Sequence, residues 1–120
     1  MGISLERVTA RRFVRGISRG RVVWLRLRSD AAAATWEREI DFLFVDADNS
    51  FEGAARDWAD WSPHVRIGGV VVLQGARLAD DNWVPPDHGP ARLLREEIHH
   101  DRRWTEIEGV DAVVALRRVA

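Results

Sequence analysis

The feature that most constrains the fold is a run of apolar residues that ends in clustered carboxylates. Residues 42–45 show no alternation of polar and apolar side chains, and Asp46 and Asp48 follow almost at once. A strand without alternation is typical of a parallel sheet covered by helices on both faces. Because open α/β sheets bind ligands at the carboxyl ends of their strands, the pattern predicts a buried strand that delivers acids to a site.

Length and composition restrict the classes of protein that remain. The chain has 120 residues, 46% hydrophobic and 31% charged, which is enough for one globular core but not for two domains. Without cysteine, a disulfide framework, a thiol nucleophile and a thiolate metal site are excluded. No apolar run approaches the roughly 20 residues of a membrane span, and the N-terminus lacks the apolar core of a signal peptide, so we expect a cytoplasmic protein.

Charge is spread unevenly along the chain. Residues 1–30 contain eight arginines against Glu6 and Asp30, a net charge of 8 − 2 = +6, although the whole chain carries −1. A basic helix can bind nucleic acid through its phosphates. Since no recognition motif or aromatic interleaving accompanies these arginines, a solvated helix face is favoured over a nucleic-acid site.

Periodicity and turn signals predict an alternation of helices and strands. The predicted order is a helix over 3–17, strand 21–28, helix 31–39, strand 41–45, a helix capped by Asn49 and stopped by Pro63, a Gly68-Gly69 turn, strand 70–73, a loop over 76–90, helix 90–100, and a hairpin of strands 103–108 and 111–118 with its turn at Gly109. This order predicts one α/β domain with a partial Rossmann-like doubly wound sheet, mostly parallel, ending in an antiparallel hairpin.

Aromatic and imidazole side chains are assigned mainly to packing and to the surface. Trp58 and Trp61 are predicted to pack on the sheet, whereas Trp83, in the polar loop, is a candidate for ligand contact. The four histidines share no metal-ligand spacing, and a surface position is predicted for each of them: His64, His88, His99 and His100.

Three segments together carry a resemblance to a known family. They are Asp41–Asp48 with Ser50–Gly53, then Pro63 with Gly68–Val72, and finally Gly89–Arg92. In this order, and over residues 13–118, the chain resembles the class I S-adenosylmethionine-dependent methyltransferases, specifically the small-molecule O-methyltransferase branch related to macrolide-sugar methyltransferases and cephalosporin-hydroxylase-like proteins. The resemblance implies S-adenosylmethionine as cofactor and a small-molecule hydroxyl as methyl acceptor.

The resemblance also implies roles for individual residues. Asp46 is implied to orient the acceptor or to bind Mg²⁺, which would draw the acceptor hydroxyl toward its deprotonated form. Asn49 stands at a catalytic position, and Ser29 with Asp30 is implied to hold the adenine of the cofactor. For Asp46, Asp48 and Asp30 the alternative is a structural role, in which they cap the following helix or face solvent.

Departures from the family pattern concern the base, the metal and the cofactor loop. Relatives carry histidine where this chain has Asn49, whose amide accepts no proton at neutral pH. Gln74 and Gly75 replace a histidine-aspartate or acidic pair, and neither the glycine-rich loop nor the ribose-binding acid is found. These departures predict a single truncated methyltransferase-like domain over residues 1–120, without the first cofactor-binding strands.

Two functions therefore remain open at the level of the sequence. The first is a methyltransferase that acts on a small-molecule hydroxyl and is incomplete as an isolated chain. The second is a catalytically inactive remnant that serves as a binding or dimerisation module, in which the exposed sheet edge mediates a homo-oligomer.

Overall fold

The computed structural model describes residues 28–46, 49–77 and 87–120. Its helices and strands are α1 (Ser29–Ala34), β1 (Ile40–Val45), α2 (Phe51–Trp61), β2 (Val65–Gln74), α3 (Gly89–Glu96), β3 (Trp104–Val110) and β4 (Val113–Arg118), with short 3-10 turns at Ser62–His64 and Ile98–His100. The predicted helix over 3–17, nearly all of the strand over 21–28, Asp48 and the loop around Trp83 lie outside the described residues.

The described strands form one mixed sheet in the order β1-β2-β4-β3. Strands β1 and β2 pair in parallel across α2, and β4 pairs antiparallel with both β2 and β3. The predicted α/β class, the parallel pair and the antiparallel C-terminal hairpin are therefore confirmed. The hairpin turn lies at Asp111, whose φ of 53° is left-handed, and not at Gly109 as predicted.

The prediction of a Gly68-Gly69 turn is wrong, because β2 runs through both glycines. Ile40 pairs with Val65 and Phe42 pairs with Val70, so a single residue of β1 lies opposite residues 66–69 of β2. The strand accommodates this irregularity through Gly68, which has a φ of +87°, and through Gly69, where a side chain would overlap neighbouring backbone. The two glycines therefore allow a bulge within β2, whereas the sequence pattern had predicted a turn here and a strand that begins after it.

The core lies between one face of the sheet and helices α2 and α3. Alternate residues of neighbouring strands share this face, since Leu43 pairs with Val71 and Val71 pairs with Leu116. The helices contribute the buried side chains Ala54, Trp58, Leu93 and Leu94. Trp58 also packs edge-to-face on Trp104, with ring centroids 4.7 Å apart, and thereby joins α2 to β3.

The described helices leave the opposite face of β1 uncovered, whereas a strand covered on both faces was predicted. Phe42 and Phe44 point away from the core face, and 61% and 52% of their surfaces are exposed. Within the described residues, α2 and α3 both contribute to the core on the other face. The described helices therefore cover only one face of this strand, although its apolar run is unbroken.

The helices begin and end at residues that differ from those predicted. Helix α1 ends at Ala34, five residues earlier than expected, and Ser50 rather than Asn49 caps α2, by accepting a hydrogen bond from the Gly53 N–H at 3.0 Å. Serine and asparagine are both good caps, and the residue at which the helix begins decides which of them takes this role. None of the described helices is long and apolar enough to cross a membrane.

Replacement of Trp58 by alanine tests whether this core holds the sheet and helices together. We expect W58A to lower the free energy of unfolding by about 3–5 kcal/mol, because it removes a buried indole and leaves a cavity. Ile107→Ala, which truncates an exposed side chain of β3, should change it by less than about 0.5 kcal/mol. Equal losses in urea unfolding for the two variants would contradict this description of the core.

Candidate functional site

The ends of β1 and β2 bring polar side chains together at one edge of the sheet. Because the two strands are parallel, Asp46 after β1 and Gln74 at the end of β2 lie at the same edge. They share a small cavity of about 10 Å³ with Asn49 and Asp57. This volume holds about one water molecule, so a larger ligand would lie above these groups and not between them.

A wider groove of about 290 Å³ opens beside β1, next to this cavity. Phe44 and Trp61 provide apolar walls, and Ser29, Asp46 and Asp57 add polar groups. A groove with aromatic walls and a few polar groups suits a flat ligand that also carries hydrogen-bonding groups. The predicted cofactor residue Ser29 and the predicted catalytic residue Asp46 thus lie in the same groove.

The groove is held by a contact between α1 and α2. The indole N–H of Trp61 donates a hydrogen bond to Ser29 Oγ at 2.6 Å, and Trp36 packs against the same indole with centroids 5.8 Å apart. Trp61, which was predicted to pack on the sheet, therefore joins the two helices instead. Since its ring and the Ser29 hydroxyl fix each other, the wall of the groove is formed before any ligand binds.

Asp30 lies in the first turn of α1, beside the groove. Its carboxylate accepts a hydrogen bond from the Ala31 N–H at 2.8 Å and forms an ion pair with Arg28 at 3.4 Å. Together with Arg56, these two charged residues line a shallow cavity of about 210 Å³ that adjoins Ser29. Both the structural role and the cofactor role of Asp30 are compatible with this position.

Asp57 is the residue of the site that the sequence did not indicate. It lies on α2 and lines the groove, the small cavity and the shallow cavity beside Asp30. In the sequence it is one of several charged residues of an amphipathic helix, and helical periodicity says only that it shares a face with Ala54 and Trp61. Its place at the site follows from the packing of α2 beside β1, which no local pattern shows.

Asn49 takes part in a backbone contact that joins the end of β1 to α3. The Gly89 N–H donates a hydrogen bond to the Asn49 carbonyl oxygen at 2.8 Å. A side chain at position 89 would overlap the backbone of Asn49 and Ser50. The loop after β1 and the first turn of α3 therefore meet with no space between them, and glycine is required at this point.

His88 lies closer to the site than predicted. It is half-buried, and a side chain on Gly75, directly after Gln74, would come within 2.9 Å of its Nε2 atom. Gly75 has a φ of +75°, so its conformation and the neighbouring imidazole both favour glycine. The structure thus places an imidazole against the carboxyl end of β2.

Metal ligands are sparse at the site. Across residues 28–46, 49–77 and 87–120, no group of three or more acidic, histidine or cysteine side chains is arranged to hold a metal ion. Asp46 and Asp57 are two carboxylates on one cavity, fewer ligands than a protein site for Mg²⁺ or Ca²⁺ normally provides unless water and substrate complete it.

A second large cleft, of about 300 Å³, lies near the amino end of β2, at the end of the sheet opposite to Asp46 and Gln74. Trp58 and Trp104 contribute to its wall, and Asp101 and Arg103 form an ion pair at 2.8 Å. The side-chain hydrogen bond from Arg103 lowers the pKa of Asp101. Because these two charges satisfy each other and none of the predicted site residues lies here, the groove beside β1 is the better candidate.

Comparison with known proteins identifies a family. Residues 3–74, which include β1 and β2, match the model of a family described as a methyltransferase domain. None of the curated proteins compared with the chain matches it significantly.

Two solved structures resemble the fold. A protein from Corynebacterium glutamicum is 20% identical with a TM-score of 0.69, and the match covers 96% of this chain and 56% of that one. An O-methyltransferase from Bacillus cereus, in complex with SAH (S-adenosylhomocysteine), is 19% identical with a TM-score of 0.50, over 75% of this chain and 46% of that one. At these identities the structures show the fold, and the chain spans about half the length of each.

The contact between Gly89 and the loop after β1 can be tested by one methyl group. We expect Gly89→Ala to lower the free energy of unfolding by about 1–3 kcal/mol. The new Cβ would overlap backbone atoms of Asn49 and Ser50, which cannot move aside as a flexible side chain can. Gly109→Ala is the control, since its Cβ would meet only the flexible side chain of Arg77, and the change should stay within about 0.5 kcal/mol. Equal stability of the two variants in urea unfolding would show that the close contact does not exist.

Proposed function

This chain belongs to the class I S-adenosylmethionine-dependent methyltransferase domain family, and we propose that its groove beside β1 binds the adenosyl group of S-adenosylmethionine. The observation that carries the proposal is the convergence of Ser29, Phe44, Asp46 and Asp57 on one groove at the carboxyl end of a parallel strand. The aromatic walls suit the flat adenine ring, and the polar groups suit its amino group and the ribose hydroxyls.

The charge of the groove favours the cationic cofactor. The sulfonium of S-adenosylmethionine is positive, and the carboxylates of Asp46 and Asp57 line the groove and the adjoining cavity. Opposite charges near a protein surface attract more strongly than in bulk solvent. In the transfer itself, a bond forms between the acceptor oxygen and the methyl carbon, the carbon–sulfur bond breaks with its electron pair remaining on sulfur, and the proton of the acceptor hydroxyl passes to solvent water.

We further propose that the acceptor is a small molecule with a hydroxyl group, held above Asp46 and Asn49. The exposed position of both residues at the end of β1 leaves them accessible to a ligand from outside. Asp46 can accept a hydrogen bond from the acceptor hydroxyl, and the amide of Asn49 can orient that hydroxyl without taking its proton. Mg²⁺ is left out of this proposal, because the described donors do not make a site for it.

The proposed contacts are limited to the adenosyl group and the positive charge of the sulfonium. Residues 1–120 contain neither the glycine-rich loop nor the ribose-binding acid of the family. We propose that a complete enzyme needs these groups from a further segment or chain, so that the chain by itself recognises little beyond adenosine. A catalytically inactive binding module remains the alternative, because the edge of β1 is open in the described sheet.

A comparison of adenosine with S-adenosylhomocysteine tests the proposal. We expect both to bind with millimolar Kd values within about threefold of each other in NMR chemical-shift titrations, because the homocysteine part gains no contact. Phe44→Ala should weaken both by at least about threefold, since it removes a wall of the groove.

Phe42→Ala is the matched control, because Phe42 lies two residues earlier on the same face of β1 but does not line the groove. It should leave both titrations unchanged. Absence of adenosine binding, or equal effects of the two variants, would reject the groove as the adenosyl site. Micromolar binding of S-adenosylhomocysteine would show that the chain also contacts the homocysteine part, contrary to this proposal.

A further inference from the structure

The second cleft, near the amino end of β2, is lined by polar groups that the described chain leaves unpaired. Ser62 and Trp104 both line it, and only 9% and 8% of their surfaces are exposed. Neither the Ser62 hydroxyl nor the indole N–H of Trp104 has a hydrogen-bond partner among the described residues, although a buried tryptophan N–H usually finds one. Unpaired groups on two nearly buried side chains at one cleft therefore need an explanation, and a ligand provides it.

These two groups open into the cleft and are not sealed in the core. Among the described residues, Asp60 Oδ2 is the one side-chain polar atom that is both buried and unpaired. The Ser62 hydroxyl and the Trp104 N–H therefore keep contact with solvent, and the cleft is the space that both side chains line. Water can bind them there, and a ligand with matching acceptors can take its place.

Arg118 adds a fixed cation to the wall of the cleft. Its Nε and Nη1 atoms donate hydrogen bonds to the backbone oxygens of Pro63, Val65 and Ala120, which hold the guanidinium in place. The structure gives no such bond to Nη2 within the described residues, so this group can still donate. Because a guanidinium bonds strongly to carboxylates, Arg118 and the two neutral donors together favour a carboxylate on the ligand.

An acid at the same cleft favours a positive group on the ligand. Glu97 is exposed, lines the cleft, and forms no ion pair with another described residue. The other two charges of the cleft, Asp101 and Arg103, pair with each other at 2.8 Å. This pair carries no net charge, so Glu97 and Arg118 are the acid and the cation that remain for a ligand.

We propose that the second cleft binds a small zwitterion with a flat apolar part, of the chemical class of the aromatic amino acids. Its carboxylate accepts hydrogen bonds from Ser62, Trp104 and Arg118, and its ammonium group lies beside Glu97. The indole of Trp58, which lines the same cleft, gives the flat part an aromatic surface to pack against. A cleft of about 300 Å³ is at the lower limit for ligand sites, so it suits a molecule of this size.

This site is separate from the groove beside β1. None of the described residues lines both of them. The side chains that carry the proposal lie between Trp58 and Arg118 and belong to α2, the two 3-10 turns and their flanks, β3 and β4. The inference is therefore independent of the methyltransferase assignment, and it is tested without nucleoside.

NMR titration of the indole N–H groups tests the site with three matched probes. L-phenylalanine carries both charges, phenylacetate lacks the ammonium group, and phenethylamine lacks the carboxylate. In ¹H–¹⁵N spectra, phenylalanine should shift the Trp104 indole resonance with a millimolar Kd, and the other two should bind at least about fivefold more weakly. The indole of Trp36, which already donates to the Arg38 carbonyl oxygen at 2.6 Å, is the internal control and should not shift.

Two substitutions separate the contributions of the side chains. Ser62→Ala should weaken phenylalanine binding at least about threefold, because it removes a donor to the carboxylate. Glu97→Gln should weaken phenylalanine by a similar factor without weakening phenylacetate, since only phenylalanine carries the ammonium group. Glu108→Gln removes the same charge from an exposed position of β3 that does not line the cleft, and it should change neither titration.

A Trp104 resonance that stays in place when phenylalanine is added would overturn the proposal. Equal binding of the three probes, or equal effects of Glu97→Gln and Glu108→Gln, would overturn it as well. The same spectra verify that each variant is folded.

Discussion

The parallel pairing of β1 with β2 is the interaction on which the rest of the structure depends. Parallel strands need a crossover, and α2 supplies it by packing Ala54 and Trp58 against the buried face of the pair. This arrangement alone brings Asp46, Asn49 and Gln74 to one edge of the sheet. The groove and the contact of Gly89 with Asn49 both follow from it.

Much of the fold could be predicted from the sequence, because its strongest signals are local. The apolar runs of β1 and β2 and the C-terminal hairpin were predicted within a few residues. The first half of β2 was not, because Gly68 and Gly69 also fit a turn, and only the pairing with β1 shows that they form a bulge. The choice of Ser50 over Asn49 as the cap of α2 likewise depends on the path of the chain.

The candidate site was only partly predictable, for a physical reason. Asp46 and Ser29 follow or precede recognisable elements, so the family resemblance could indicate them, and the structure places both on one groove. Asp57 and His88 reach the site through the packing of α2 and α3, and their own sequence neighbourhoods are those of ordinary surface residues. The apolar run of β1 indicated burial on both faces, whereas Phe44 is 52% exposed and lines the groove.

Isotope-filtered NOE spectroscopy with excess adenosine tests the central claim most directly, because it locates the adenine ring on the protein. The groove beside β1 predicts cross-peaks from the adenine protons to Phe44 and Trp61, which line it. It also predicts none to Trp104, which lines the cleft near the amino end of β2. Cross-peaks to Trp104 without any to Phe44 would contradict the assignment of this edge as the adenosyl site.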